Sequence, residues 1–382
     1  MGYLLGYRCG KCGRTVPAGT RVNECPHCAG PLMAYYDIDS LKRRYSADDF
    51  FSMRGEGIWR FAPLLPDFKS RISLGEGNTP LIPARNLAEL LGVDELYIKD
   101  ESQNPTGSFK ARGMAAAVSR LVDLRVEDAW LPSAGNAALA LSAYAAKAGI
   151  SARVYIPAEP KSSVASECSL YGAKVTVVPG ILTDAAARME DEFEGDSAGV
   201  LSTFREPARV EGKKTMAFEL AEMISPDWIL FPTGGGTGIV AMWKAYNELE
   251  QLGWLEGAKP RLVSVQSSGC APIVKAFEEE AETAEPWPSP CTFASGINVP
   301  SSRADSLILA ALRESGGTAV AVSDEDIALS IRTTASLEGI FFSPEGAATV
   351  AALKKLLAEG KVGRADTAVL FNTASGVRYA GI

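Results

Sequence analysis

ESQNPTGSFKARG, residues 101–113, joins a β-branched run, LYIKD (96–100), to a stretch of small residues that continues through Ala115, Ala116 and Ala117. This order of residue types predicts a strand, a proline-glycine turn and then a helix over 108–123. The same order recurs along the chain. AWLPS (129–133) precedes a predicted helix at 136–149, ARVYIP (152–157) and AKVTVVP (173–179) follow in the same rhythm, and DWILFP (227–232) leads into a helix at 237–252, with RLVSVQ (261–266) beyond. Short strands alternating with longer helices imply mostly parallel sheets flanked by helices, an α/β fold.

At 382 residues the chain exceeds one ordinary core, so two or three domains are expected. The net charge of −8 comes from scattered acidic residues, with no basic arm or patch, which argues against nucleic acid or an anionic membrane surface as partner. The N-terminal MGYLLGYRCGKCG has too short an apolar run for a signal peptide, and no segment reaches the roughly 18 apolar residues of a membrane helix. A cytoplasmic protein is expected. Of seven cysteines, Cys168, Cys270 and Cys291 stand alone and are expected to be buried thiols.

The other four form two knuckles, Cys9-Gly-Lys-Cys12 and Cys25-Pro-His-Cys28. Four thiolates at this spacing can close a tetrahedron around zinc, each short loop supplying two ligands, so residues 1–35 are expected to be a zinc-ribbon-like segment with a structural metal. His27, the single histidine, lies inside a knuckle that already has its cysteines. Residues from about 35 to 75, with Tyr35, Tyr36, Phe50, Phe51, Trp59 and Phe61, read as an arm laid against a larger body.

In open α/β sheets ligands gather at the carboxyl ends of the strands, where helix N-termini point. Three segments fall there: the opening stretch with Lys110, LPSAGNAALA (131–140), and FPTGGGTGIVAMW (231–243). In the third, Gly234, Gly235, Gly236 and Gly238 let backbone N–H groups converge ahead of a helix, and Thr237 adds a hydroxyl, an arrangement suited to a phosphate dianion. It is neither a Walker loop nor a GxGxxG unit. A phosphate cradle together with a lysine and an asparagine on neighbouring strand ends suggests a phosphorylated cofactor that needs an amine, pyridoxal 5′-phosphate.

ESQNPTGSFKARG, SAGNAALALSAYAAKAGI (133–150) and PTGGGTG (232–238) together resemble the fold-type II pyridoxal-phosphate enzymes, the superfamily of the tryptophan synthase β-subunit and threonine dehydratase. The cysteine ribbon, LGEGNTPL (74–81) and the motif order are most similar to threonine synthase and its close relatives. The resemblance implies two α/β domains behind the ribbon: a large one from 36–110 and 206–382, and a small one from 111–205. It implies that Lys110 is the covalent anchor of the cofactor and later its proton carrier, and that Asn136 bonds the ring oxygen. Ser133, Ala134, Gly135 and Ala137 would offer the turn that receives a substrate carboxylate, and Gly234 to Gly238 would hold the phosphate. Thr373, in FNTASGVRY (371–379), would meet the pyridine nitrogen, with Ser375 as the reserve, while Thr79 and Ser108 would reach the substrate side. Glu345, in SPEGAA, reads as a helix-start carboxylate. A homodimer is the family expectation.

Two positions depart from the threonine synthase pattern. Ala111 follows the lysine where an aspartate is usual, and Asn298, in FASGINVP (293–300), stands where an arginine is frequent. Arg112, Lys161 and Arg205 are the cations expected to compensate. The expected activity is threonine synthase-like, γ-elimination of phosphate from O-phosphohomoserine and addition of water at the β-carbon. The alternatives are a serine or threonine ammonia-lyase, or a related β-elimination or β-replacement enzyme, and a sensor of the cofactor or an amino acid without turnover.

Overall fold

The computed structural model describes residues 2–158 and 163–379, so Lys161 lies outside the described residues. The chain divides into two compact units, Met1–Asn78 with Asn104–Thr215, and Thr79–Gln103 with Met216–Ile382.

The first unit opens with an antiparallel sheet in which Leu4–Cys9 pairs with both Thr15–Pro17 and Leu32–Tyr36. Its second sheet is parallel, in the order Asp128–Pro132, Ser151–Pro157, Lys174–Val178. The helices Lys110–Asp123 and Asn136–Ala148 pack on one another, and their alanines, with Met114, Val118, Leu121, Leu139 and Tyr144, form the core. The aromatic arm joins the same core through Ile58, Trp59 and Leu65. Ala208–Met223 is a helix whose residues up to Thr215 belong to this unit. It crosses the Lys110 helix at glycines: a Cβ on Gly212 would lie 2.1 Å from the Arg112 carbonyl oxygen, and one on Gly113 2.9 Å from that of Arg209. Only residues without a side chain permit so close an approach.

A buried carboxylate also belongs to this unit. Glu76 accepts from the Tyr144 hydroxyl at 2.6 Å and from the Leu74 N–H at 3.0 Å, while burial pushes its carboxyl above the ordinary range. Tyr144→Phe removes one of the donors that offset that burial, so a loss of about 1–3 kcal/mol in folding stability is expected, read as a lower urea midpoint at unchanged slope.

The second unit holds a six-stranded sheet in the order Thr318–Val322, Arg261–Ser267, Trp228–Pro232, Thr367–Asn372, Glu95–Asp100, Leu81–Pro83. All neighbours are parallel except the short Leu81–Pro83 edge, which is antiparallel. Inner strands buried on both faces require near-continuous apolar runs, and Trp228–Pro232 is buried at every position. The helices Thr237–Leu252 and Pro344–Ala358 flank this sheet.

The strands and helices expected from the sequence fall within one residue of those observed, except for the helix expected from 108, which starts two residues late. It begins at Lys110, because Thr106 and Gly107 adopt positive φ values of 59° and 66° and Ser108 is extended. One thiol expectation is corrected. Cys168 and Cys270 are buried, but Cys291 is exposed, in a segment without regular structure. Among the described residues no helix is long and apolar enough to cross a membrane.

Candidate active site and metal centre

In the first unit Lys110 is the opening residue of its helix, half-buried, with Nζ 4.0 Å from the centre of the Phe109 ring. The turn before it carries the buried Ser108, whose Oγ has no hydrogen-bond partner among the described residues. Asn136 likewise opens its helix, directly after the Ser133-Ala134-Gly135 turn that follows the strand Asp128–Pro132. That turn is anchored by the Ser133 N–H on the Tyr155 carbonyl at 3.0 Å, and Gly135, which precedes the helix, makes no side-chain cap. The first N–H groups of a helix have no partner within it, so those of Asn136 and Ala137 are left as donors at this end, whereas the Ala138 N–H is already bonded to the Gly135 carbonyl at 2.9 Å.

In the second unit the strand Trp228–Pro232 runs into Thr233 and the glycine turn, and the neighbouring strand Thr367–Asn372 runs into Thr373. The glycine turn and Thr373 therefore share the carboxyl end of adjacent strands. A Cβ on Gly234 would meet the Gly296 carbonyl oxygen at 2.6 Å, one on Gly238 would meet the Phe231 ring at 2.3 Å, and Gly236 has φ +84°. Positions 234, 236 and 238 thus admit only glycine, and the turn delivers the chain into Thr237–Leu252 without a capping side chain. Ser302 Oγ holds the Gly235 carbonyl at 3.0 Å, fixing which way the turn's peptides point. Bare backbone donors at a helix start fit a phosphate, and a half-buried lysine fits an aldehyde partner, so both chemistries of pyridoxal phosphate are present.

Thr373 is buried, whereas Ser375 accepts the Val377 N–H at 3.3 Å as a turn residue does. Thr79 lies in a buried network of the second unit: its hydroxyl donates to Glu101 at 2.6 Å and accepts from Lys99 at 2.6 Å, and Lys99 is paired with Glu219 at 2.8 Å. Glu345 sits in the first turn of Pro344–Ala358 and accepts the Gly296 N–H at 2.6 Å. Asn298 Oδ1 is buried and has no partner among the described residues.

The four cysteines come together. The Sγ atoms of Cys9, Cys12, Cys25 and Cys28 all lie within 4.8 Å of one another, with Cys9 and Cys28 at 3.5 Å and Cys12 and Cys25 at 3.6 Å. Tetrahedral zinc–thiolate bonds place sulfurs about 3.8 Å apart, so the residues fit the ion. The N–H groups of Lys11 and Cys12 point at Cys9 Sγ, and that of His27 pulls the Cys25 thiol below its ordinary value. His27 itself meets Arg14 at 2.8 Å and stands outside the sulfur cluster.

Apart from Arg205, no residue of REPARVEGKKT (205–215) was expected at the site, since a charged run of this kind usually marks a solvated face. Glu206, Arg209, Glu211, Lys213 and Lys214 are all buried. Burial first, then the charges of Arg209 and Lys110, hold Lys213 well below an ordinary lysine, and its Nζ is 5.7 Å from the Phe109 ring centre that Lys110 also faces. Burial likewise lowers Arg209 to about 10, and its Nε finds no partner among the described residues. The glycine between the charges, Gly212, was the legible sign that this helix runs against another. The expected compensating cations lie otherwise. Arg112 is fully buried and donates to Thr215 at 3.0 Å, and Arg205 pairs with Glu24 and Glu190 at 3.2 and 3.0 Å.

Residues 72–374 match the family model of pyridoxal-phosphate dependent enzymes. The chain is 36% identical over 378 residues to the threonine synthase of Methanocaldococcus jannaschii, covering 97% of this chain and 92% of that protein. It is 36% identical to the threonine synthase of Methanosarcina acetivorans, covering 96% and 90%. The fold is similar to that of serine racemase from Dictyostelium discoideum, with a TM-score of 0.66 and 23% identity over 78% of this chain and 92% of that one.

Proposed function

The chain belongs to the pyridoxal-phosphate dependent enzymes, in the threonine synthase family, and from that premise we propose that it converts O-phosphohomoserine and water into threonine and inorganic phosphate. What carries the reading is the extent of the likeness: it covers 97% of this chain, so the cysteine ribbon takes part along with the catalytic body. Lys110 is assigned as the attachment point and as the base that carries protons to and from the substrate carbons. Asn136 bonds the ring oxygen, Gly234, Gly235, Gly236, Thr237 and Gly238 bind the cofactor phosphate, and Thr373 meets the ring nitrogen. Burial of Thr373 at the strand end, against the turn bond made by Ser375, supports choosing the threonine. When bound, the cofactor supplies an electron sink for the substrate's α-carbon. Ser133, Ala134, Gly135 and Ala137 receive the substrate carboxylate, with Ser108, whose buried hydroxyl lacks a partner among the described residues, and Thr79 on the substrate side.

Arg209 supplies the positive charge for the substrate phosphate, and the buried Lys213, whose neutral form is favoured by burial and by the charges of Arg209 and Lys110, takes up a proton as the dianion arrives. Arg209→Met is expected to lower kcat/KM by about 1.5–3 kcal/mol, roughly ten- to hundredfold. The direct test supplies O-phosphohomoserine to the cofactor-loaded protein. Equal amounts of phosphate and threonine should appear, with kcat/KM on the order of 10⁴ M⁻¹s⁻¹ or more. Ketoacid and ammonia from serine or threonine, with no phosphate released, would reject this reading in favour of an ammonia-lyase, the reading that Asn298 favours by placing an uncharged amide where a guanidinium is frequent in the family. A cytoplasmic homodimer is part of the same proposal, and light scattering on the purified protein tests the dimer.

A further inference from the structure

The ribbon grips the helix that carries Arg209 and Lys213. Tyr7, Asn23 and Tyr36, three residues of the N-terminal segment, are all buried. Asn23, between the two knuckles, uses its whole amide: Nδ2 donates to the carbonyls of Ser197, Ala198 and Val200 at 2.9, 3.1 and 3.0 Å, and Oδ1 accepts from Arg120 Nη1 at 2.7 Å. The neighbouring Val22 carbonyl takes Arg120 Nη2 at 2.8 Å. Arg120 also faces Glu206 at 3.3 Å, and the other oxygen of Glu206 accepts the Arg209 N–H at 2.8 Å at the start of the helix Ala208–Met223. Tyr36 donates to Glu211 at 2.7 Å, and Glu211 is paired with Lys214 at 2.7 Å. Tyr7 lies beside Arg120, Glu206 and Glu211, and burial pushes its hydroxyl up to about 12.

We propose that Asn23 is a positioning residue for the cofactor lysine, through which the metal-filled ribbon sets the placement of Arg209 and Lys213 beside Lys110. This rests on Lys110 being the attachment point. Arg120 has two acceptors from the ribbon and shares Glu206 with the backbone of Arg209. A buried guanidinium that loses the neutral Asn23 acceptor leans more heavily on its carboxylate. Glu206 then moves toward Arg120 and releases the Arg209 N–H, and the first turn of the helix loses the carboxylate that holds it. Lys213, one turn further on, borders Lys110 across Phe109, so the displacement reaches the reactive amine. A ribbon with few apolar residues keeps its shape through its metal, so loss of the ion and loss of Asn23 should have the same effect at the far end of the chain of contacts.

The experiment uses the full chain as wild type, as Asn23→Ala and Asn23→Asp, and as wild type stripped of zinc by a mercurial and chelator, then refilled. Zinc per chain, amide hydrogen exchange over 196–215, and the pyridoxal phosphate concentration that half-saturates borohydride labelling of Lys110 are measured for each. Asn23→Ala should retain about one zinc, yet exchange at least about tenfold faster over 196–215 and need at least about tenfold more cofactor. Zinc-stripped protein should match it, and refilling should restore both readings. Asn23→Asp, which keeps the acceptor for Arg120, should hold the cofactor more tightly than Asn23→Ala, and if the alanine variant does not fold, the zinc-stripped and refilled wild type decides the matter. Exchange and half-saturation within twofold of wild type in all altered forms overturns the proposal. No substrate enters these readings, so failure of the threonine synthase assignment leaves them intact, and a label on another lysine would sink the lysine assignment separately.

Discussion

Lys110→Ala should leave a protein that folds, binds its metal and has no measurable turnover, a loss on the order of 10⁴-fold from proton transfer alone. The reason is that one side chain is assigned two tasks. It would be the covalent anchor that fixes the cofactor's reactive carbon, and the amine that carries protons to and from the substrate. Its surroundings suit both tasks: the helix start leaves Nζ beside the Phe109 ring, and Lys213, the other amine facing that ring, is fully buried. Wild-type protein should be yellow, and borohydride followed by digestion should leave the pyridoxyl label on Lys110. Lys110→Arg keeps the charge but cannot form the attachment, so it should not restore activity. A variant that stays yellow, with the label moved to Lys213, would show that the second amine is the anchor.

Gly235→Asp should produce the other large effect, on retention of the cofactor. The carbonyl of Gly235 is held by Ser302 at 3.0 Å, and the flanking Gly234 and Gly238 have no room for a Cβ, so the turn cannot swing a new side chain aside by repacking. A carboxylate introduced there would stand against the phosphate dianion assigned to this turn. Like charges about 4 Å apart at an effective dielectric near 20 repel by about 4 kcal/mol per unit pair, so the half-saturating cofactor concentration should rise by about 100-fold or more. Gly235→Asn is the control, because it has the same size without the charge. If both variants lose the cofactor equally, shape rather than charge governs the turn. If neither does, the phosphate is held elsewhere.

Much of this molecule is legible in one dimension because its determinants are local. The switch from LYIKD to a proline-glycine turn and then to alanines is written in neighbouring residues, and so are the two cysteine knuckles and the glycine run after DWILFP. Period, turn chemistry and ligand spacing act over a few residues, and those elements are where the sequence places them to within a residue or two. The helix that begins at Lys110 rather than two residues earlier needed the backbone, since Thr106 at φ 59° is not a conformation its side chain announces. Cys291 lies exposed because burial is a property of what surrounds a residue. Tertiary structure decided the fate of REPARVEGKKT most of all. Charge in a sequence predicts solvent, and here Glu206 and Glu211 lie inside because Arg120 and Tyr36, 86 and 175 positions away, donate to them, and Asn23 in turn supplies an acceptor to Arg120 from 97 positions away. Such long-range compensation is set by how the chain folds back on itself, so the sequence by itself determined which elements form and which chemistry the site carries, while the structure alone decided which charges surround the lysine and that the metal ribbon reaches them.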